Sequence, residues 1–216
     1  MNHKLSIGSA QFGLDYGIAN HRGRIPLKEV FDILAHALSR GVCHVDTAPG
    51  YGDSETVIGR FCRETGKRLR VTTKLTARTG DDAAASVEAS LDRLGSSALY
   101  GVLVHDFQCL NADIIDALCR LRTRGLTRHI GCSLYYPSEL LWIMDSAIPF
   151  DMVQVPVSLC DRRFIPLFEK AAARGIRIQA RSVFLQGLFF MDRATLPVHL
   201  KSAARPLLNL DQLCRE

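Results

Sequence analysis

Four side chains with acid–base chemistry sit in short motifs along this 216-residue chain. They are Asp46 in His44-Val45-Asp46-Thr47-Ala48, Tyr51 in Pro49-Gly50-Tyr51-Gly52, Lys74 in Thr72-Thr73-Lys74-Leu75 and His105 in Leu103-Val104-His105-Asp106. A phenol can hand a proton to an oxygen that is developing negative charge. A free tyrosine, with a pKa of ~10, is too weak an acid to do this efficiently near neutrality. A nearby ammonium favours the phenolate, so Lys74 is expected to lower the Tyr51 pKa. Asp46 is expected to pair with Lys74 and keep it charged. His105 is expected to hydrogen-bond the same oxygen and position it. Taken singly, each residue has a plainer reading. Tyr51 reads as a surface turn residue, Asp46 as a loop cap, Lys74 as a snorkelling strand end and His105 as a satisfied core histidine. All four plain readings must hold together to remove the constellation.

The elements that would position these groups follow from apolar period and stop signals. Leu27, Val30, Phe31, Leu34, Ala37 and Leu38 form one stripe at helical spacing, with Pro26 where a helix starts and Gly41 where it stops. The pattern recurs before Gly66, Gly95, Gly125 and Gly175, with Asn111 as an expected cap, and a shorter helix is expected from Pro137 to Ser146. Seven short apolar runs alternate with these helices: Leu5 to Ala10, Val42 to Ala48, Leu69 to Leu75, Leu99 to Asp106, Arg128 to Ser133, Met152 to Val157 and Ile176 to Ser182. Near-continuous apolar strands between helices imply βαβ units and a parallel sheet. The sheet could be open and doubly wound, or closed into a barrel. Asp46, Lys74, His105, Ser133, Gln154 and Ser182 each fall at the end of a different strand, and only a closed (β/α)8 barrel brings six such ends to one rim. We expect an α/β fold of that TIM-barrel type, incomplete, with about seven strand–helix units.

Bulk properties exclude several classes. With 47% hydrophobic and 23% charged residues, the chain can bury an ordinary globular core. A net charge of +5 is mild and dispersed, which argues against nucleic-acid binding but suits an anionic substrate or a dinucleotide. The seven cysteines include no CxxC pair, so free thiols, no metal site and a reducing cytoplasm are expected. No apolar run approaches the ~20 residues of a membrane span.

The run from Gly41 to Glu55, with its Asp-Thr-Ala segment followed by Tyr-Gly and Ser-Glu, resembles the signature of the aldo-keto reductase family. Val71 to Leu75 looks like that family's lysine strand and Leu103 to Asp106 like its histidine strand. Gly131-Cys132-Ser133 and Val153-Gln154-Val155 resemble two of its cofactor-contacting strand ends. These motifs fall in the family's order, and the resemblance spans about Leu5 to Phe190. It implies an NADP- or NAD-dependent oxidoreductase reducing a small aldehyde, ketone or sugar carbonyl. Asp46, Tyr51, Lys74 and His105 would be its catalytic residues. It also implies that Ser133 and Gln154 bind the nicotinamide carboxamide, although Leu134 stands where the family often has Asn. Arg181 occupies the place where many relatives stack a Tyr on the nicotinamide, and Ser182, Leu185 and Gly187 would lie near the pyrophosphate. No GxGxxG fingerprint supports a Rossmann site. Phe12, Tyr16 and Phe107, on rim loops, are expected to line the substrate pocket. Trp142, the single tryptophan, is expected in the core.

The chain departs from the family after Gly187. A complete barrel of this type has ~250 residues and eight units, and no eighth strand is recognisable in the divergent tail, residues 188–216. One domain over residues 1–216 is expected. Its open edge suggests a homo-oligomer. Two other functions remain open. The same Lys-Tyr-His-Asp cluster could serve a cofactor-independent isomerase or lyase. Alternatively, an inactive barrel remnant could serve as a binding subunit.

Overall fold

A computed structural model describes residues 4–215; both extremes of the expected 1–216 domain, residues 1–3 and Glu216, lie outside the described residues. The strands are β1 (Ser6–Gly8), β2 (His44–Asp46), β3 (Arg70–Leu75), β4 (Leu99–Val104), β5 (Thr127–Ser133), β6 (Met152–Pro156) and β7 (Arg177–Arg181). Between them run α1 (Ala10–Gly13), α2 (Leu27–Ser39), α3 (Ser54–Thr65), α4 (Gly80–Leu94), α5 (Ala112–Thr123), α6 (Pro137–Asp145) and α7 (Phe168–Ala173). Six of the seven apolar runs contain one strand each, and the run Arg128 to Ser133 covers all of β5 but its first residue, Thr127. After β7 come short 3-10 turns and α8 (Ala204–Leu213).

The stop signals act locally. Gly66 and Gly95 end α3 and α4 at positive φ (66° and 60°), a conformation that costs glycine nothing. Asn111 caps α5 as expected, its Oδ1 accepting from the Ile114 amide at 3.0 Å, and Thr79 does the same for α4.

The seven strands pair in parallel in the order β1-β2-β3-β4-β5-β6-β7. A doubly wound sheet would reverse its order at a switch point; this one never does, so it grows as a barrel grows. One hydrogen bond demonstrates the curl. Gln154 on β6 donates to Asp46 on β2 at 2.7 Å. Neighbouring strands lie about 4.8 Å apart, so four steps across a flat sheet would span about 19 Å. The strands therefore form a curled, incomplete (β/α)8 barrel. Helix stripes close over it, with Val30, Leu34, Ile58, Phe61 and Leu118 fully buried. At the N-terminal ends of the strands, Tyr100 packs edge-on between His44 and His129, with centroids 4.5 and 4.8 Å away.

Two expectations about aromatic residues are corrected. Phe12 is 3% exposed and belongs to the apolar core, not to a substrate pocket. It lies on α1, the turn after β1 that packs against α3, and burying a phenyl ring is worth about 2 kcal/mol. Trp142 is 49% exposed on α6 and packs edge-on against Phe107 at 5.4 Å. The buried face of that short helix is taken by Leu140, Ile143 and Met144.

Candidate active site

Asp46, Tyr51, Lys74 and His105 line one cleft of about 1160 Å³. Strand register brings them together: Asp46 ends β2, Lys74 is the penultimate residue of β3, and His105 follows β4, its amide bonded to the Leu75 carbonyl. Tyr51 depends on the loop after β2. Buried hydroxyls pin that loop, with Ser54 donating to Ser9, Thr47 bonded to Ser54 at 3.1 Å and Ser9 donating to the Asp46 carbonyl at 2.8 Å. Gly13 and Gly52 let the backbones of α1 and the loop interlock. A Cβ at Gly13 would overlap the Tyr51 carbonyl oxygen, and Gly52 is left-handed at φ 55°.

Lys74 Nζ lies 2.8 Å from both Asp46 oxygens and 3.0 Å from the Thr47 carbonyl. It also stands 5.0 Å above the Tyr51 ring centroid, a cation–π contact. The Tyr51 and His105 rings meet edge-on at 6.4 Å. Lys74 is 2% exposed, and burial holds its pKa below the usual lysine range while Asp46 opposes that shift. Burial and the Lys74 charge push His105 down, so its imidazole is neutral at neutral pH.

The expected effect on Tyr51 is reversed. Its pKa is pushed up to about 12, first by burial and then by the Asp46 carboxylate, with Arg181 opposing. Asp46 embraces the Lys74 ammonium at short range, so the phenol faces a nearly neutral pair instead of a bare cation.

The remaining candidates divide. Ser133, Gln154, Arg181, Ser182, Gly187 and Tyr16 line the cleft. Leu185 lies outside its lining. Phe107 does too: it faces a shallow groove with Leu110, Ser138 and Trp142. Gln154 is 1% exposed, and because a carboxylate can only accept, its amide nitrogen must face Asp46. Gln154 Oε1 is then buried without a partner, as is Oε1 of Gln179, its register neighbour on β7. The sequence reading missed Gln179 and Tyr135, which also line the cleft. Alternation along β7 could have found Gln179, two residues before Arg181 on the same face; nothing local marks Tyr135. The Arg181 guanidinium stacks on Tyr135 at 4.3 Å and donates to the Leu134 carbonyl at 3.2 Å. The Leu134 side chain is fully buried in the core, out of the cleft. Ser182, Leu185, Gln186 and Gly187 all hold positive φ, and the Gln186 carbonyl accepts from Ala19, tying this tight segment to the loop after α1.

Among the described residues no group of His, Cys, Asp and Glu could hold a metal ion, and no helix is long and apolar enough to cross a membrane. All seven cysteines are free thiols.

The sequence pattern of the Aldo/keto reductase family matches residues 4–210. An aldo-keto reductase of Mycobacterium sp. strain KMS is 34% identical over 197 residues, which covers 85% of this chain and 70% of that protein. Among solved structures, one described as an aldo-keto reductase from Pseudomonas aeruginosa superposes with a TM-score of 0.74 at 28% identity, over 83% of this chain and 73% of that one. A Bombyx mori aldo-keto reductase in complex with NADP has the same fold, with a TM-score of 0.66 at 24% identity, over 82% of this chain and 62% of that one.

Proposed function

We propose that this chain, which belongs to the aldo/keto reductase family, reduces a small aldehyde, ketone or sugar carbonyl with hydride from NADPH or NADH. The observation that carries this reading is the Lys74 ammonium, held between both oxygens of Asp46 and the face of Tyr51 in a cleft that His105 shares.

The residues of the cleft fit a nicotinamide. The unpartnered Oε1 atoms of Gln154 and Gln179 are acceptors for a carboxamide N–H2, and Ser133 beside them offers a hydroxyl. Ser182 and Gly187 are the neighbours for its phosphates, and Arg181 adds a positive charge. When bound, the reduced ring supplies hydride to the carbonyl carbon and is left oxidised. The chain's own part is proton supply and positioning. The neutral His105 imidazole donates a hydrogen bond to the carbonyl oxygen and orients it. Tyr51 holds its proton at neutral pH and gives it to the nascent alkoxide, which is more basic than a phenolate. Lys74 then stabilises the tyrosinate, and Asp46 with Gln154 keeps Lys74 in place. A reducing cytoplasm, consistent with the free thiols, is the setting we infer.

Two measurements test this reading. Fluorescence titration with NADPH and NADH should show saturable binding. Tyr51→Phe should lower turnover of a carbonyl panel by about 10²- to 10⁴-fold with cofactor binding retained. Unchanged turnover in Tyr51→Phe would remove the mechanism, and turnover without any nicotinamide would remove the reaction class.

A further inference from the structure

The turns that lead into the strands lie at the end of the barrel opposite the cleft, beside the C-termini of the helices. Seven exposed cations gather there without a carboxylate partner among the described residues. Lys4 precedes β1, Arg40 caps α2, and Lys67 and Arg68 precede β3; Arg70, Arg128 and Arg177 stand in the first two residues of β3, β5 and β7. Along the chain they are scattered from residue 4 to residue 177, and parallel strands bring them to one mouth. Helix dipoles do not absorb this charge. The C-termini of α2 to α7 contribute about half a negative charge each, roughly three in all. Asp92, near the end of α4, adds one, while Arg63 and Arg120, in the last turns of α3 and α5, remove two. An excess of about five positive charges remains. At the cleft end, by contrast, Arg22, Arg24 and Lys74 each hold a carboxylate. The field reaches the centre of the mouth. His44 is half-buried there, and its pKa is pulled down first by burial and then by Arg70, Arg177 and His129 on three other strands.

The chemistry of this surface selects its partner. Arginine supplies five of the seven cations, and its planar fork matches phosphate oxygens. Of the turns leading into the strands, only Leu5 exposes a large apolar side chain. A protein partner or a membrane surface would need apolar anchors, so the partner is one held by charge. The cations ring the mouth, and a flexible chain can bend round a ring where a straight duplex would meet only part of it. We propose that this end of the barrel binds the phosphate backbone of single-stranded nucleic acid. Phosphate contacts carry no sequence information, so binding is indifferent to base identity. The proposal is independent of the reductase reading, and it reverses the expectation drawn from the net charge, because the fold concentrates what the sequence disperses.

Fluorescence anisotropy of a labelled oligo-dT of about 20 nucleotides, longer than a typical single-strand site, provides the test. The wild-type protein should bind it saturably at low salt. Raising salt from about 50 to about 200 mM should weaken binding about a hundredfold, the slope of about −3.5 that five phosphate contacts give on a single strand. Oligo-dC should bind within about threefold of oligo-dT. Arg68→Glu with Arg128→Glu should weaken binding about tenfold or more and reduce the slope by about 1.4. Arg78→Glu with Arg162→Glu makes the same charge change in exposed loops after β3 and β6, at the cleft end. At about 100 mM salt, where charges act over about 10 Å, that pair should leave binding within about threefold of wild type. Arg40→Glu with Lys67→Glu, on turns outside the sheet, repeats the test if a strand substitution disturbs folding, which thermal melts will show. Absence of saturable binding at low salt, binding insensitive to salt, or equal weakening by the mouth and cleft-end pairs overturns the proposal. So does binding of the wild type to vesicles of equal parts phosphatidylserine and phosphatidylcholine, by sedimentation, without binding to the oligonucleotide.

Discussion

At the scale of the residue, burial and ion pairing decide the protonation states. Tyr51 sits near pKa 12 because the half-buried ring is partly desolvated and Asp46 lies close by. The phenol keeps its proton through neutral pH and well above it. Reduction, which uses the phenol, should therefore show a flat profile from about pH 6 to about pH 10. Alcohol oxidation needs the phenolate, so its rate should rise about tenfold per pH unit over the same range without a plateau. Steady-state profiles in both directions check this; a plateau in oxidation near neutrality would mean that another group is the base. The Lys74–Asp46 pair also has a structural role. Lys74→Met leaves a carboxylate, 15% exposed, with Gln154 as its one side-chain donor. Stranding a buried charge of this kind costs about 3 kcal/mol, measurable by urea denaturation. Adding Asp46→Asn should recover part of the loss, because the stranded charge is then gone.

At the scale of the element, the catalytic tyrosine proposed here depends on backbone packing between α1 and the loop after β2. That loop carries no regular structure, yet Ser9, Thr47 and Ser54 bond it on one side and Gly13 seats it on the other. Gly13→Ala would force the two backbones apart. It should destabilise the fold by about 1–3 kcal/mol, as overpacking does, and lower kcat more than it raises KM because Tyr51 moves. Gly50 lies in the same loop with open space around its Cα, so Gly50→Ala is the matched control and should change little. Thermal melts and kinetics on the two variants distinguish seating of the loop from general intolerance. The buried Glu55 ties the same region to the barrel, accepting from Thr73 on β3 and from Arg93 on α4 at 2.7 Å.

At the scale of the whole molecule, β1 and β7 form the two ends of the strand order and do not pair with each other among the described residues. Residues of β6 are buried throughout, whereas every residue of β7 is exposed or half-buried. Phe184 and Phe190 stand exposed just beyond it. Uncovered strand edges beside apolar side chains favour association. Light scattering over a concentration series should show a species larger than a monomer, growing with concentration; a monodisperse monomer would count against self-association through these edges.

The element order was legible in the sequence because its signals are local. Glycine at a helix end, Asn111 before α5 and an apolar run of strand length each act over a few residues, and each of the seven strands coincides to within a residue or two with a run that composition marks. Three of the four acid–base candidates, Asp46, Lys74 and His105, were legible for the same reason, since a polar group at the end of an apolar strand is conspicuous; Tyr51 stands in the loop after β2 and was marked only by its Pro-Gly-Tyr-Gly motif. Tertiary structure decided the rest. Whether Phe12 faces the core and Trp142 the solvent depends on how α1 and α6 lie on their neighbours. The bond between Gln154 and Asp46 joins residues 108 apart in the chain, and only the curl of the sheet makes it. The Tyr51 pKa rises instead of falling because a field at a point sums over every buried dipole and charge around it, and that sum exists only once the chain has closed around the cleft.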